Sequence, residues 1–357
     1  MPSRRRSTEH IEPINPIESL EPLAEPFQQS WRLPRAIIGI PLAVIGSLCL
    51  LCIVSLAILA PRNPPTHKVL SFGTEGHDPG QFYHGAYIAV DGRGNIYEAD
   101  WDTGHINEFD PAGKLVRQIA LGDGTEILGL AAASNGTLYV SYDGIIRRMN
   151  ADGTEAIIKN DDDHGDPITY VSGIAIGPDG SLAAADNEGN ILRIGSDSKF
   201  RVVLATAFDL PSFSSRNEVH QGDAPILSYD VPASKADRNI SVAVDGSGNI
   251  YAIGWTLGTV IKTGAHGESL SKFGKFAWFP TTWLRGQFDF PDGIAVDHYG
   301  RIYVADAHSV QVFGPDEKYQ YTLAVDSANG VALDAQDNIY VLTYPAPIIK
   351  YAALPKP

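Results

Sequence analysis

The chain has 357 residues, 44% hydrophobic and 19% charged, which excludes a disordered polymer and leaves room for two average domains or one large all-β domain. Thirty-five Gly and 24 Pro without a Gly-X-Y period point to many turns, and two Cys exclude a disulfide framework. A formal net charge of -15 counts against a nucleic-acid partner, because phosphate binding needs clustered Lys and Arg.

Residues 1–35 hold six prolines with Glu interspersed, the composition of a disordered tail. Residues 36–60, AIIGIPLAVIGSLCLLCIVSLAILA, run 25 residues without a charge. A helix of that length covers about 37 Å, enough to cross a hydrocarbon core of about 30 Å with modest tilt. A buried core helix would carry a polar face, and this stretch offers only Ser47 and Ser55. The segment is therefore read as a transmembrane helix. Arg4, Arg5, Arg6, Arg32 and Arg35 precede it, so the N-terminus is expected in the cytoplasm and the remainder outside it. An uncleaved anchor is favoured over a signal peptide, since the apolar run exceeds a usual signal core and Pro61 makes Ala60 a poor cleavage point. Residues 61–67 read as a short stiff spacer.

From residue 68 to the end one unit recurs. GAYIAVDGRGNIYEAD begins at Gly85, ISVAVDGSGNIYAIG at Ile240, DGIAVDHYGRIYVAD at Asp292 and NGVALDAQDNIYVLT at Asn329. Degenerate copies start at Ile127 and Val171, making six. Each has an apolar strand, a turn of Asp, Gly and Asn, and a strand of β-branched and aromatic residues, which is the pattern of a β-hairpin. Third strands follow, such as HINEFD from His105, and five copies show a fourth, such as KLVRQIA from Lys114. The last copy ends with IIKYA at Ala352 and lacks its fourth strand, while KVLSFG at Lys68–Gly73 precedes the first copy without a partner. Pairing these two would close a ring of six four-stranded sheets and remove both exposed edges.

These units resemble NHL repeats, and the resemblance over about Lys68 to Ala352 implies an all-β, six-bladed NHL-type β-propeller. It implies little about activity, because such propellers host lyases, hydrolases, sensors and scaffolds.

In that wiring the connections between blades and the turns after second strands share one face. The long connections, residues 205–238 and 275–291, fall there, and so do Trp101, Trp255, Trp278 and Trp283, with His84 and His308 in loops on the same side. This loop-rich face is the expected binding surface for a protein, peptide or glycan. The aromatics equally suit gluing long loops to the disc.

His84, Asp292 and Asn329 open the first strands of blades one, five and six, so closure would make them neighbours at the channel mouth. An imidazole, a carboxylate and an amide oxygen suit one divalent cation, calcium or zinc, or a general base with orienting partners. Capping strand ends and holding channel water is the plainer role for the trio. Asp100, Asp186 and Asp306 after second strands, and Asp91, Asp245, Asp297 and Asp334 after first strands, recur at equivalent positions and are assigned to turn capping.

Amidating lyases of peptide-hormone maturation resemble this chain in their blades but hold zinc with three His, where this chain has Asp292, Asn329 and Ser172. Gluconolactonase-like propellers set a carboxylate, an Asn before Gly and an Asp between Pro and Gly around one divalent metal. Pro291-Asp292-Gly293 and Asn329-Gly330 resemble the last two in reversed chain order, with no glutamate for the remaining position. RNA-binding NHL propellers use a basic face, whereas residues 62–357 carry 22 Lys and Arg against 37 Asp and Glu. The expected function is a membrane-tethered ligand- or protein-binding module, with a metal-dependent hydrolase as the alternative.

Overall fold

Hairpin turns rich in Asp, Gly and Asn between β-branched strands fold here into six twisted blades. The computed structural model describes residues 62–357 except 102, 123, 151–153, 159–170, 187–188, 196–199, 205–239, 255–257 and 278–283. The tail and the apolar span expected at 1–35 and 36–60 lie outside the described residues. Among the described residues no helix is long and apolar enough to cross a membrane.

The first strand is β1 (Lys68–Phe72). Blade one follows as β2 (Gly85–Val90), β3 (Ile96–Asp100), β4 (His105–Phe109) and β5 (Leu115–Ala120). Blade two is β6 (Ile127–Ala132), β7 (Leu138–Tyr142), β8 (Ile145–Met149) and β9 (Glu155–Ile157). Blade three is β10 (Val171–Ile176), β11 (Leu182–Asp186), β12 (Ile191–Ile194) and β13 (Phe200–Leu204). Blade four is β14 (Ile240–Val244), β15 (Ile250–Gly254), β16 (Val260–Thr263) and β17 (Ser269–Phe273). A short parallel pair, β18 (Lys275–Phe276) with β19 (Gln287–Phe288), sits in the connection to blade five. Blade five is β20 (Gly293–Val296), β21 (Ile302–Asp306), β22 (Ser309–Phe313) and β23 (Tyr319–Ala324), and the chain finishes with β24 (Ala328–Leu333), β25 (Ile339–Thr343) and β26 (Ile348–Tyr351).

The sixth sheet runs β24-β25-β26-β1, so the expected closure between KVLSFG and IIKYA is present. Lys68 pairs with Tyr351, Leu70 with Lys350, Ser71 with Ile349 and Phe72 with Ile348, antiparallel, with a bulge between Lys68 and Leu70. The innermost strands β2, β6, β10, β14, β20 and β24 each pack on the next, and β24 packs on β2, completing the ring.

Each second strand lies inside its blade with both faces covered by neighbours. That is why β3, β11, β15, β21 and β25 are buried from end to end and read as near-continuous apolar runs. The period of two sends alternate residues to opposite blade interfaces. Tyr97 and Ala99 join the cluster shared with blade two, while Ile96 joins Phe72, Phe109, Tyr340 and Leu342 between blades six and one.

The first-strand aspartates perform the turn-capping role expected of them, through one repeated clamp. Asp91 Oδ1 accepts the amides of Arg93 and Asn95 at 2.8 and 2.9 Å, and Oδ2 accepts Asn95 Nδ2 at 2.9 Å and the Tyr97 hydroxyl at 3.3 Å. Asp245 repeats the pattern with Ser247, Asn249 and Tyr251, and Asp334 with Gln336, Asn338 and Tyr340. Asp297 does the same with Tyr299, Arg301 and Tyr303, Arg301 replacing the asparagine. Burial, and then the adjacent carboxylate, pushes all four phenols above the usual tyrosine range, except that Glu108 precedes Asp91 as the charge acting on Tyr97.

Residues 62–67 run along the outer strands of blades five and six. The Arg62 amide donates to the Tyr319 hydroxyl at 2.9 Å and its carbonyl accepts the Thr322 amide at 2.8 Å. The Ala352 amide donates to the His67 carbonyl at 3.0 Å, and Thr66 Oγ1 donates to the Ala352 carbonyl.

The closing sheet gives a direct test. Phe72 is 9% exposed and meets Phe109 edge-on at 5.1 Å, whereas Val69, three residues earlier, is 53% exposed. Phe72→Ala should cost about 3–5 kcal/mol and Val69→Ala within about 0.5 kcal/mol, read from urea denaturation of the full chain. Equal effects would contradict the closure.

Candidate functional site

The channel opens at the face where first strands begin and second strands end. Two segments shape its mouth. The residues before β2 are pinned by Asp100 at the end of β3, whose Oδ2 accepts the amides of Tyr83 and His84 at 3.0 and 3.2 Å. The His84 carbonyl in turn accepts the Trp101 amide at 2.9 Å. Across the ring closure, Asn329 Nδ2 donates to the Gly85 carbonyl at 3.3 Å, stitching blade six to blade one.

The approach to His84 is held from behind by a buried acid. Glu98 Oε2 accepts Asn107 Nδ2 at 2.9 Å, and Asn107 also binds the Gln81 carbonyl at 3.2 Å and the Gly80 amide at 3.0 Å. A Cβ placed on Gly85 would stand 3.0 Å from Glu98 Oε1 and from Leu342 Cδ1, so any larger residue there must push these side chains aside. Burial raises the Glu98 carboxyl well above the usual range. This glutamate lies behind Gly85 and does not line the cavity.

A cavity of about 240 Å³ fills the mouth, lined by His84, Gly85, Ala86, Tyr87, Trp101, Ile240, Ser241, Asp292, Asn329 and Tyr344. A deeper one of about 70 Å³ continues down the channel and shares Ala86, Tyr87, Ser241 and Asp292 with it. Aromatic rings form one wall. His84 stands 4.5 Å from Tyr83, 5.7 Å from Tyr344 and 6.5 Å from Trp101, centroid to centroid.

Asp292 is half-buried where it lines this cavity, and the surrounding protein takes its carboxyl largely out of water. That enclosure raises its carboxyl to about 7. Its carbonyl accepts Ser241 Oγ at 2.6 Å, but among the described residues no donor reaches its carboxyl oxygens. The Tyr87 hydroxyl is pushed above the ordinary phenol range by burial first, then by the charges of Asp292 and Glu126.

Of the residues singled out in the sequence, His84, Trp101, Asp292 and Asn329 converge on this cavity. Trp255, Trp278 and Trp283 lie outside the described residues. His308 does not line the cavity; its Nε2 lies 3.0 Å from Asp289 Oδ2, and its amide donates to Asp306 Oδ1 at 3.0 Å. Tyr344 and Tyr87 were not anticipated. Tyr344 follows β25 as Trp101 follows β3, so aligning the residues after second strands would have found it.

The donor set at the mouth is sparse for a divalent metal. His84, Asp292 and Asn329 supply a single carboxylate, and Asn329 directs its amide nitrogen to Gly85. Calcium takes six to eight oxygens with several carboxylates among them, and zinc favours several thiolates or imidazoles. Among the described residues no group of three or more His, Cys, Asp and Glu is placed to hold a metal.

The Asp292 carboxyl gives a signed pH prediction. It holds its proton up to about pH 7 in the folded chain, against an ordinary value of 3.8. Between these values the folded state binds the extra proton, so this group's contribution to stability is present at low pH and lost as pH rises through 7. Asp292→Asn removes that loss. The variant should therefore gain stability relative to the native chain as pH goes from 5 to 8, measured as the difference in denaturation midpoint, and a difference independent of pH would refute the assignment.

No protein-family profile matches the chain, and no curated protein sequence does. Solved structures share its shape. A gluconolactonase from Xanthomonas campestris is 14% identical, with a TM-score of 0.56 over 83% of this chain and 98% of that one. A protein of unknown function from Bacteroides thetaiotaomicron is 13% identical, with a TM-score of 0.58 over 80% of this chain and 75% of its own. A candidate gluconolactonase is 15% identical, with a TM-score of 0.55 over 82% and 93%. At these identities the likeness is one of fold, and the chain is a six-bladed β-propeller with gluconolactonase-like structural neighbours.

Proposed function

We propose that this chain is a membrane-tethered, NHL-type propeller outside the cytoplasm, a binding module whose channel mouth seats a small ligand or the projecting end of a peptide or glycan. One observation carries this reading: a cavity of about 240 Å³ sets an acid, Asp292, whose carboxyl meets no donor among the described residues, against an aromatic wall of His84, Trp101 and Tyr344. Concave sites with apolar walls and a few convergent polar groups are where small ligands bind. The apolar run at 36–60 and the arginines before it support the tether and its orientation.

A metal-dependent hydrolase is the second reading. It draws on His84, Asp292 and Asn329 sharing the cavity, but their single carboxylate ranks it below the binding module.

Metal analysis and ligand screening of the purified full chain separate the two. A binding module should be metal-free and should be thermally stabilised by members of a small-molecule, peptide and glycan panel, with the stabilisation lost in Trp101→Ala. Stoichiometric divalent metal that disappears in Asp292→Ala would instead establish the hydrolase reading. For the topology, protease added outside intact cells should cleave the propeller and spare residues 1–35; the reverse pattern would invert the orientation.

A further inference from the structure

Asp292 sets a carboxyl at the channel mouth that burial keeps partly protonated near neutral pH and that an arriving cation would ionise. Asp292 opens onto both cavities, and among the described residues no lysine or arginine lines either of them. Glu126 adds to the same field, since its charge acts on the Tyr87 hydroxyl together with that of Asp292. The chain as a whole has a formal charge of -15, which draws cations and repels anions at long range. A carboxylate taken out of water costs several kcal/mol unless a counter-charge meets it. The aromatic wall supplies the complementary half of a cation site, because the faces of Trp and Tyr attract ammonium groups and accept apolar substituents equally well. The donor set lacks the further anionic ligands that a divalent ion needs, but a singly charged organic cation needs only one carboxylate and ring faces.

We propose that the channel mouth binds a low-molecular-weight organic ammonium ion, its nitrogen against Asp292 and its apolar body against Trp101 and Tyr344. This rests on the ligand-binding reading above and names the ligand class. Ser241 and Asn329 frame the same space, so an amine with one or two further polar groups fits better than a bare hydrocarbon amine.

The test is calorimetric titration of the full chain with 2-phenylethylamine and its neutral analogue 2-phenylethanol. The amine should bind at least about 30-fold more tightly than the alcohol, since a charge-assisted hydrogen bond and a cation–π contact both depend on the charge. Asp292→Asn, nearly identical in shape, should bring the two within about threefold. Should that variant fail to fold, the preference of the native chain and its competition by tetramethylammonium carry the test. Alcohol binding as tight as that of the amine, with both weakened in Trp101→Ala, overturns the cation assignment and leaves the binding module standing. Calcium or zinc that displaces the amine stoichiometrically overturns it in favour of a metal site. Binding of neither probe also overturns it, and the ligand panel above then decides the broader reading on its own.

Discussion

Four residue pairs between β1 and β26 join the two ends of the propeller, and the site exists because of them. His84 and Asn329 are 245 positions apart along the chain, and only closure of the ring brings Asn329 Nδ2 to the Gly85 carbonyl. The cluster of Phe72, Phe82, Phe109, Tyr340 and Ile348 makes that junction as apolar as the other five blade interfaces. A blade shared between chain ends is thus packed like a blade built from one stretch, and it carries Asn329 and Tyr344 to the channel mouth.

Aspartate serves two opposite purposes in this fold, and environment alone separates them. At Asp334 burial raises the carboxyl, but bonds from Asn338 and the Gln336 amide outweigh it, and the group sits below its ordinary value. Asp292 has the burial without the donors and sits at about 7. The first kind is structural because the turn it caps recurs in four blades. The second faces a cavity, in the arrangement expected of a group that meets a ligand.

Much of this architecture was legible in the chain itself. Six copies of one hairpin specify the strands, four of them with an Asp at a fixed offset specify the clamps, and the solitary fourth strand at Lys68–Gly73 identifies its own partner. The site was legible only in part. His84, Asp292 and Asn329 were found by position, because the starts of first strands must face the channel. Tyr87 escaped because it sits inside a strand whose alternation reads as core. His308 lies apart from the cavity, with its ring 3.0 Å from Asp289.

The shared blade also sets a schedule for biosynthesis. Strand β1 precedes the strands of blades one to five along the chain, and its partner β26 follows them all. At about 5–20 residues per second, the intervening chain of roughly 280 residues takes on the order of 15 to 60 seconds to appear. Throughout that interval Lys68–Phe72 is an open β-edge looking for a ladder, and blades one to five stack without a finished ring. Until β26 arrives, that edge is open to strand exchange with the β26 of another copy.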